Sequence, residues 1–216
     1  MTRSMTKSSW RLSALLGAGL AAVSLLPAGC DNEASPFVLS LQPYYMQTDL
    51  QADSRLNGTW SSEEGDVTFK FEQGTEKGKE KEYTLVVKEK DGEQEQSGEF
   101  DARVLRMGAS LFLDIYPQNS RQGSEFYGAH FVRAHTIARL DVHDNSLQMA
   151  FLNAKWLKTS LEGNNLDPPC VGVDGVLLLT GTTEELQELV FSHSNDDEAF
   201  GDPVLFEKQS VENEQQ

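Results

Sequence analysis

The sequence predicts a mostly β domain. The expected architecture is an antiparallel meander of about eight or nine strands closing into a small barrel with two short helices, and a β-sandwich is the alternative. Three observations carry this expectation. Apolar and polar residues alternate with period two over several short segments. Turn chemistry separates those segments, as at Asp91-Gly92 and His143-Asp144-Asn145-Ser146. Helical spacing appears in two places, too few to cover a parallel sheet. Sequential antiparallel strands joined by short turns favour closure into a barrel.

The elements follow in order. Val67, Phe69 and Phe71 alternate with Thr68, Lys70 and Glu72, which predicts a strand with one buried face. Tyr83, Leu85 and Val87 repeat the pattern after the charged segment Gly74 to Glu82. The Asp-Gly pair at 91–92 predicts a tight hairpin, and a strand from about Gly98 presents Phe100, Ala102 and Val104 on one face. The chain turns at Gly108. Leu111, Leu113 and Ile115 then face one way and Phe112, Asp114 and Tyr116 the other, until Pro117 ends the strand. Residues 118–130 read as a polar loop, and 131–142 as an extended segment that turns back into Leu147, Met149 and Phe151. Asn153 caps a predicted helix through Trp156, Leu157 and Leu161, stopped at Gly163. Val173 and residues 176–180 read as a strand. Thr182-Thr183-Glu184-Glu185 is a capping box, followed by Leu186, Leu189 and Val190 on one helical stripe. Val204 to Phe206 make the last expected strand.

The N-terminus reads as an address. Arg3, Lys7 and Arg11 precede an apolar stretch from Leu12 to Leu26, and small residues lead up to Cys30. A basic start, a short apolar core and small residues before a cut site describe a secretory signal peptide. The core is shorter than the roughly 20 residues of a membrane span. Pro27-Ala28-Gly29-Cys30 resembles the lipobox of bacterial lipoproteins, although Pro27 stands where that motif carries an aliphatic residue. The resemblance implies that Cys30 is acylated and becomes the new N-terminus. Ordinary secretion and an uncleaved anchor are the alternatives. The expected organisation is a lipoprotein signal peptide at 1–29, the lipidated Cys30 and a tether to 40, a barrel domain over 41–208 and an acidic tail at 209–216. The expected location is the bacterial cell envelope, lipid-anchored to the inner or outer membrane and facing the periplasm or the exterior.

Charge and cysteines narrow the partners. The leader carries three basic residues and no acid, so the chain from Cys30 onward has 15 basic and 34 acidic residues and a formal charge of −19. That charge argues against nucleic acid and anionic membrane surfaces as partners. Contact with the bilayer therefore depends on the acyl group at Cys30, and stable anchoring takes two chains or signals. Cys30 and Cys170 are the two cysteines. If Cys30 is acylated, Cys170 is a lone thiol, expected as a small buried hydrophobe. If it is not, a Cys30–Cys170 disulfide fits an oxidising compartment.

Leu56-Asn57-Gly58-Thr59-Trp60 resembles the Gly-x-Trp entry into the first strand of lipocalins and related calycins. That resemblance implies that Trp60 closes the base of a barrel. A wider resemblance spans about residues 41–206, through Leu41-Gln42-Pro43-Tyr44, the Gly-Thr-Trp, 111–117 and Phe151 to Leu157. It is to a family of bacterial lipoproteins with no assigned activity, so it implies a fold and a location and no mechanism.

No catalytic constellation stands out. His130, His135, His143 and His193 lack the i, i+2 spacing that puts two metal ligands on one strand face, and they read as surface or hydrogen-bonded histidines. No Gly-x-Ser-x-Gly and no phosphate-binding loop occurs. The acidic runs 63–66 and 195–198 lack EF-hand spacing and read as solvated loops. Neither a metal nor a cofactor is expected. Trp60, Phe69, Phe71, Tyr83, Phe100 and Phe112 are the candidate lining of an apolar pocket or, more simply, the filling of a packed barrel. The function expected is a non-enzymatic binding or interaction module whose partner is an envelope protein. The alternative is a lipocalin-like carrier of a small apolar ligand.

Overall fold

The computed structural model describes residues 35–92, 94–118, 132–173 and 175–210. Strands β1 (Val38–Ser40) and β2 (Leu50–Gln51) precede a meander of seven: β3 (Gly58–Ser62), β4 (Val67–Gln73), β5 (Glu82–Asp91), β6 (Gln94–Met107), β7 (Ser110–Pro117), β8 (Thr136–Val142) and β9 (Ser146–Phe151). Helix α1 (Ala154–Glu162), the hairpin β10 (Cys170–Val173) and β11 (Val176–Leu179), and helices α2 (Thr183–Ser192) and α3 (Asp197–Phe200) follow. The last strand, β12 (Val204–Lys208), inserts between β9 and β3, antiparallel to both. Because β6 also pairs with β7, the eight strands β3 to β9 and β12 close into an antiparallel barrel. Strand β2 adds to β6 beyond the reach of β5. A separate three-stranded sheet has the order β1-β11-β10, with β1 parallel to β11.

Alternation in the strands sorts the side chains into two cores. The inward positions include Trp60 of β3, Val67, Phe69 and Phe71 of β4, Tyr83, Leu85 and Val87 of β5, and Phe206 of β12, which form one buried cluster. The outer face of β3, β4 and β5 meets water, so these strands show clean alternation. Part of the outer face of β6 to β9 is covered instead. Leu105, Phe112, Ile137 and Ala150 point away from the barrel into a second cluster with Leu157, Leu186, Val190 and Phe200 of the helices. Double burial explains why β7 is apolar on both faces.

The two longer helices begin where their caps require. Asn153 Oδ1 accepts from the N–H groups of Lys155 and Trp156. The Thr182–Glu185 capping box is complete in both directions. At Gly92 (φ 63°) and Gly108 (φ 60°) the left-handed backbone lets the β5–β6 and β6–β7 connections turn tightly.

Four expectations need correction. Strand β8 begins at Thr136, not at Phe131, which lies outside the described residues; Val132 is 77 % exposed, because pairing starts only with the Ser40–His135 bridge. Strand β6 starts at Gln94, ahead of Gly98, since the tight Asp91-Gly92 hairpin carries the ladder with β5 to its tip. The acidic run at 195–198 is no free loop: Asp196 caps α3, Asp197 pairs with Arg139 at 2.9 Å, and α3 buries Ala199 and Phe200. Cys170–Val173 forms a strand where only Val173 was expected to. The leader, Cys30, His130 and residues 211–216 lie outside the described residues.

Candidate functional site

The barrel has a knitted base. The 3-10 turn Ser54–Leu56 lies beneath it, and Trp60 Nε1 donates to Leu56 O at 2.8 Å. The Lys208 ammonium sits 4.9 Å from the centroid of the Trp60 ring and donates to Arg55 O at 2.7 Å. Arg55 donates to Val142 O at 2.7 Å. The Tyr83 hydroxyl donates to Asp53 O and accepts from Asp53 N, so the one polar atom of an inward tyrosine is satisfied at the base. Trp60 is thus buried near the start of β3, tied to the 3-10 turn and covered by Lys208.

Above the base, side chains fill the interior. Phe69 stacks on Phe206 at 4.8 Å, and Phe71 meets Phe69 and Tyr83 edge-on at 6.3 and 6.5 Å. Trp60, Phe69, Phe71 and Tyr83 are each at most 1 % exposed. Phe100 packs against this cluster from the far end, partly buried. Phe112 does not belong with them. Its position in β7 turns it outward, where its ring lies 5.6 Å from Phe200 in the helical layer. It therefore cannot line a barrel pocket.

A buried polar node lies in the wall between barrel and helices. Asp114, 1 % exposed, takes the Nδ1–H of His135 on Oδ1 at 2.8 Å and the Tyr44 N–H on Oδ2 at 2.9 Å. An ionised carboxylate only accepts, so its contact with the ring requires a proton on Nδ1. The His135 ring stacks on Tyr116 at 4.3 Å, and the Arg133 guanidinium lies 4.8 Å from the Tyr116 centroid. Ser40 exchanges backbone hydrogen bonds with His135, while its hydroxyl donates to Gln42 O at 2.8 Å. Burial, aided by the Asp114 charge, pushes the Tyr44 phenol far above its ordinary range, so it stays protonated.

This node has the positioning half of a base or metal site, an imidazole oriented by a carboxylate. Its other half is missing among the described residues. The Ser40 hydroxyl is committed to Gln42, and no group of three or more His, Cys, Asp or Glu side chains is placed to hold a metal among the described residues. Its structural effect is clear: it fastens the 40–44 segment to β7 and β8. His143 lies 3.3 Å from Asp141 at the surface, and His193 Nδ1 lies 3.0 Å from Leu189 O with its ring edge-on to Trp156. Trp156 belongs to the helical layer and plugs no barrel end.

The surface carries open depressions outside the barrel. One, of about 410 Å³, is lined by Gln42, Tyr45, Met46 and residues 180–184 at the start of α2. A second, of about 360 Å³, lies beside the β6–β7 turn between Arg106 and Arg139. In Arg139 both terminal nitrogens are engaged, by Ser194 O and Asp197.

Sequence reasoning missed Asp114 and Glu89. Asp114 is the one charged residue within the apolar run of β7, which signals a partnered buried charge. Glu89 continues the inward period of Tyr83, Leu85 and Val87. Its Oε1 is buried without a hydrogen-bond partner. Burial, with the charge of Asp66 second, pushes its carboxyl up to about 7. Cys170 is a half-buried thiol with no disulfide among the described residues, and burial, then Asp167, raises its pKa. No protein-family model, no curated protein and no solved structure matches this chain. The lipoprotein part of the resemblance therefore rests on residues of the sequence alone.

Proposed function

We propose that this protein is a cell-envelope lipoprotein in which an acylated Cys30 tethers a rigid, non-enzymatic β-barrel that acts as a binding or interaction module. The observation that carries the second half is the filled interior. Rings of Trp60, Phe69, Phe71, Tyr83 and Phe206 occupy the space in which a carrier would hold its ligand. Recognition then falls to the outer surface, where the depression over Tyr45, Met46 and the start of α2 offers a mixed polar and apolar lining. The leader and the Cys30 context support the anchoring half.

The test is intact mass and membrane partitioning of the protein expressed in a bacterial host, beside Cys30→Ser. Residues 30–216 plus acyl groups in the membrane fraction, with a soluble and unacylated mutant, is the expected result. An unacylated wild-type chain overturns the anchor. A small apolar molecule that stays with the purified barrel through native mass spectrometry, and is lost on Phe69→Trp, overturns the non-carrier reading. A catalytic turnover abolished by a point mutation overturns the non-enzymatic one.

A further inference from the structure

The β5–β6 hairpin outruns the barrel. Gln94–Gly98 of β6 pair with β5 alone among the described residues, since pairing with β7 starts at Phe100 opposite Pro117 and Gln118 N donates to Glu99 O at 2.9 Å. Toward its tip, β5 still touches the barrel through β4, where Glu89 faces Val67 in register and Lys90 N donates to Asp66 O at 2.8 Å. Glu89 is an inward position, on the side of Val67 and Val87, which are 3 % and 7 % exposed. The carboxyl thus enters the rim of an apolar interior, and one of its oxygens is buried without a hydrogen bond.

The charged groups around it give no relief. Asp66, in the β3–β4 turn, is a like charge tied to the Ser62 hydroxyl at 2.6 Å. Lys88 and Lys90 share the strand with Glu89 but alternate to the outer face. There Lys88 is engaged with Glu95 of β6 at 3.1 Å. Gln96, opposite Glu89 in register on β6, is exposed and uncharged. A neutral carboxyl tolerates this setting. An ionised one is driven out of it, by desolvation and by Asp66.

We propose that Glu89 is a proton-operated latch at the rim of the barrel, holding the tip of the β5–β6 hairpin against β4 when protonated and releasing it when ionised. Release breaks the Lys90–Asp66 backbone hydrogen bond and uncovers the apolar side of Val67 and Val87. The direction of the Glu89 shift puts this transition near neutral pH, where a modest change in the surroundings moves the population.

Amide hydrogen exchange on the full-length protein tests the latch, read at Lys90 and over 86–99 and corrected for the intrinsic pH dependence of exchange. Protection in the wild type is expected to fall severalfold, up to about tenfold, between pH 6 and 8. In Glu89→Gln it should change less than about twofold and remain at the low-pH level. Asp66→Asn removes the like charge that helps to raise the Glu89 carboxyl, so the transition should move to lower pH. The decisive readout is therefore the Glu89 carboxyl ¹³C titration: lowered in Asp66→Asn, with protection loss following it. Loss of protection unchanged in Glu89→Gln, or a wild-type hairpin equally protected at both pH values, overturns the latch.

Discussion

Removing the Asp114 carboxylate separates a buried hydrogen-bond node from ordinary packing. In Asp114→Ala, the His135 Nδ1–H and the Tyr44 N–H both lose their acceptor, and Asp114 sits where only 1 % of its surface reaches water. Each hydrogen bond to a charged group contributes about 1.5–3 kcal/mol. Removing the charge returns part of its own desolvation cost, so the net loss should be about 3–5 kcal/mol, the range for breaking a buried pair from one side. Asp114→Asn should cost about 1 kcal/mol. The amide oxygen still accepts from Tyr44 N, and the amide N–H can donate to His135 Nδ1 once the imidazole proton moves to Nε2. The assay is urea unfolding followed by tryptophan fluorescence, with the ¹⁵N shifts of His135 reporting the tautomer. A loss under 1 kcal/mol in Asp114→Ala, or an Asn variant as damaged as the Ala variant, refutes this account of the node.

Other expected outcomes follow from the same contacts. Phe206→Ala removes the ring stacked on Phe69 and should cost about 3–5 kcal/mol in the same assay. Lys208→Met keeps the side-chain bulk but loses the Trp60 contact and the bond to Arg55 O, and should cost about 1–2 kcal/mol with a shifted Trp60 emission. Cys170 should alkylate more slowly than a free cysteine at pH 8, because its raised pKa leaves less thiolate; unfolding in urea should restore the ordinary rate. For Glu89 the sign is set by a native pKa of about 7 against an ordinary 4.5. The native state holds that proton more tightly, so its stabilisation is complete below about 4.5 and is lost as the pH rises through about 7. Discounted for partial exposure, wild type should lose about 1–2 kcal/mol relative to Glu89→Gln between pH 5 and 8, measured by urea midpoints.

Much of the barrel was legible because half of it is amphipathic. In β4 and β5 one face meets water, so alternation assigned Phe69, Phe71, Tyr83 and Leu85 inward without any knowledge of partners. The two longer helices were legible because Asn153 and Thr182 are local signals, acting within three residues. What failed was non-local. Phe112 looked like its strand-mates because the sequence shows an aromatic ring and does not show which of two apolar layers receives it. The Asp114–His135 pair joins residues 21 apart, and Tyr44 reaches Asp114 across 70. The pairing of β1 with β11 depends on three residues whose partner lies some 140 positions downstream. No periodicity encodes such a contact.

The position of β12 also sets an order of events for the growing chain. Strand β3 finds one neighbour at once in β4, but its other neighbour arrives about 145 residues later. Until Val204–Lys208 emerges, β3 and β9 each present an unpaired edge, and the Trp60 ring lacks its Lys208 cover. Contacts of such long range slow folding, since the loop must close before any pairing rewards it. A chain interrupted before Val204 is thus left as an open sheet with two adhesive edges, and Val204–Lys208 decide whether the barrel closes.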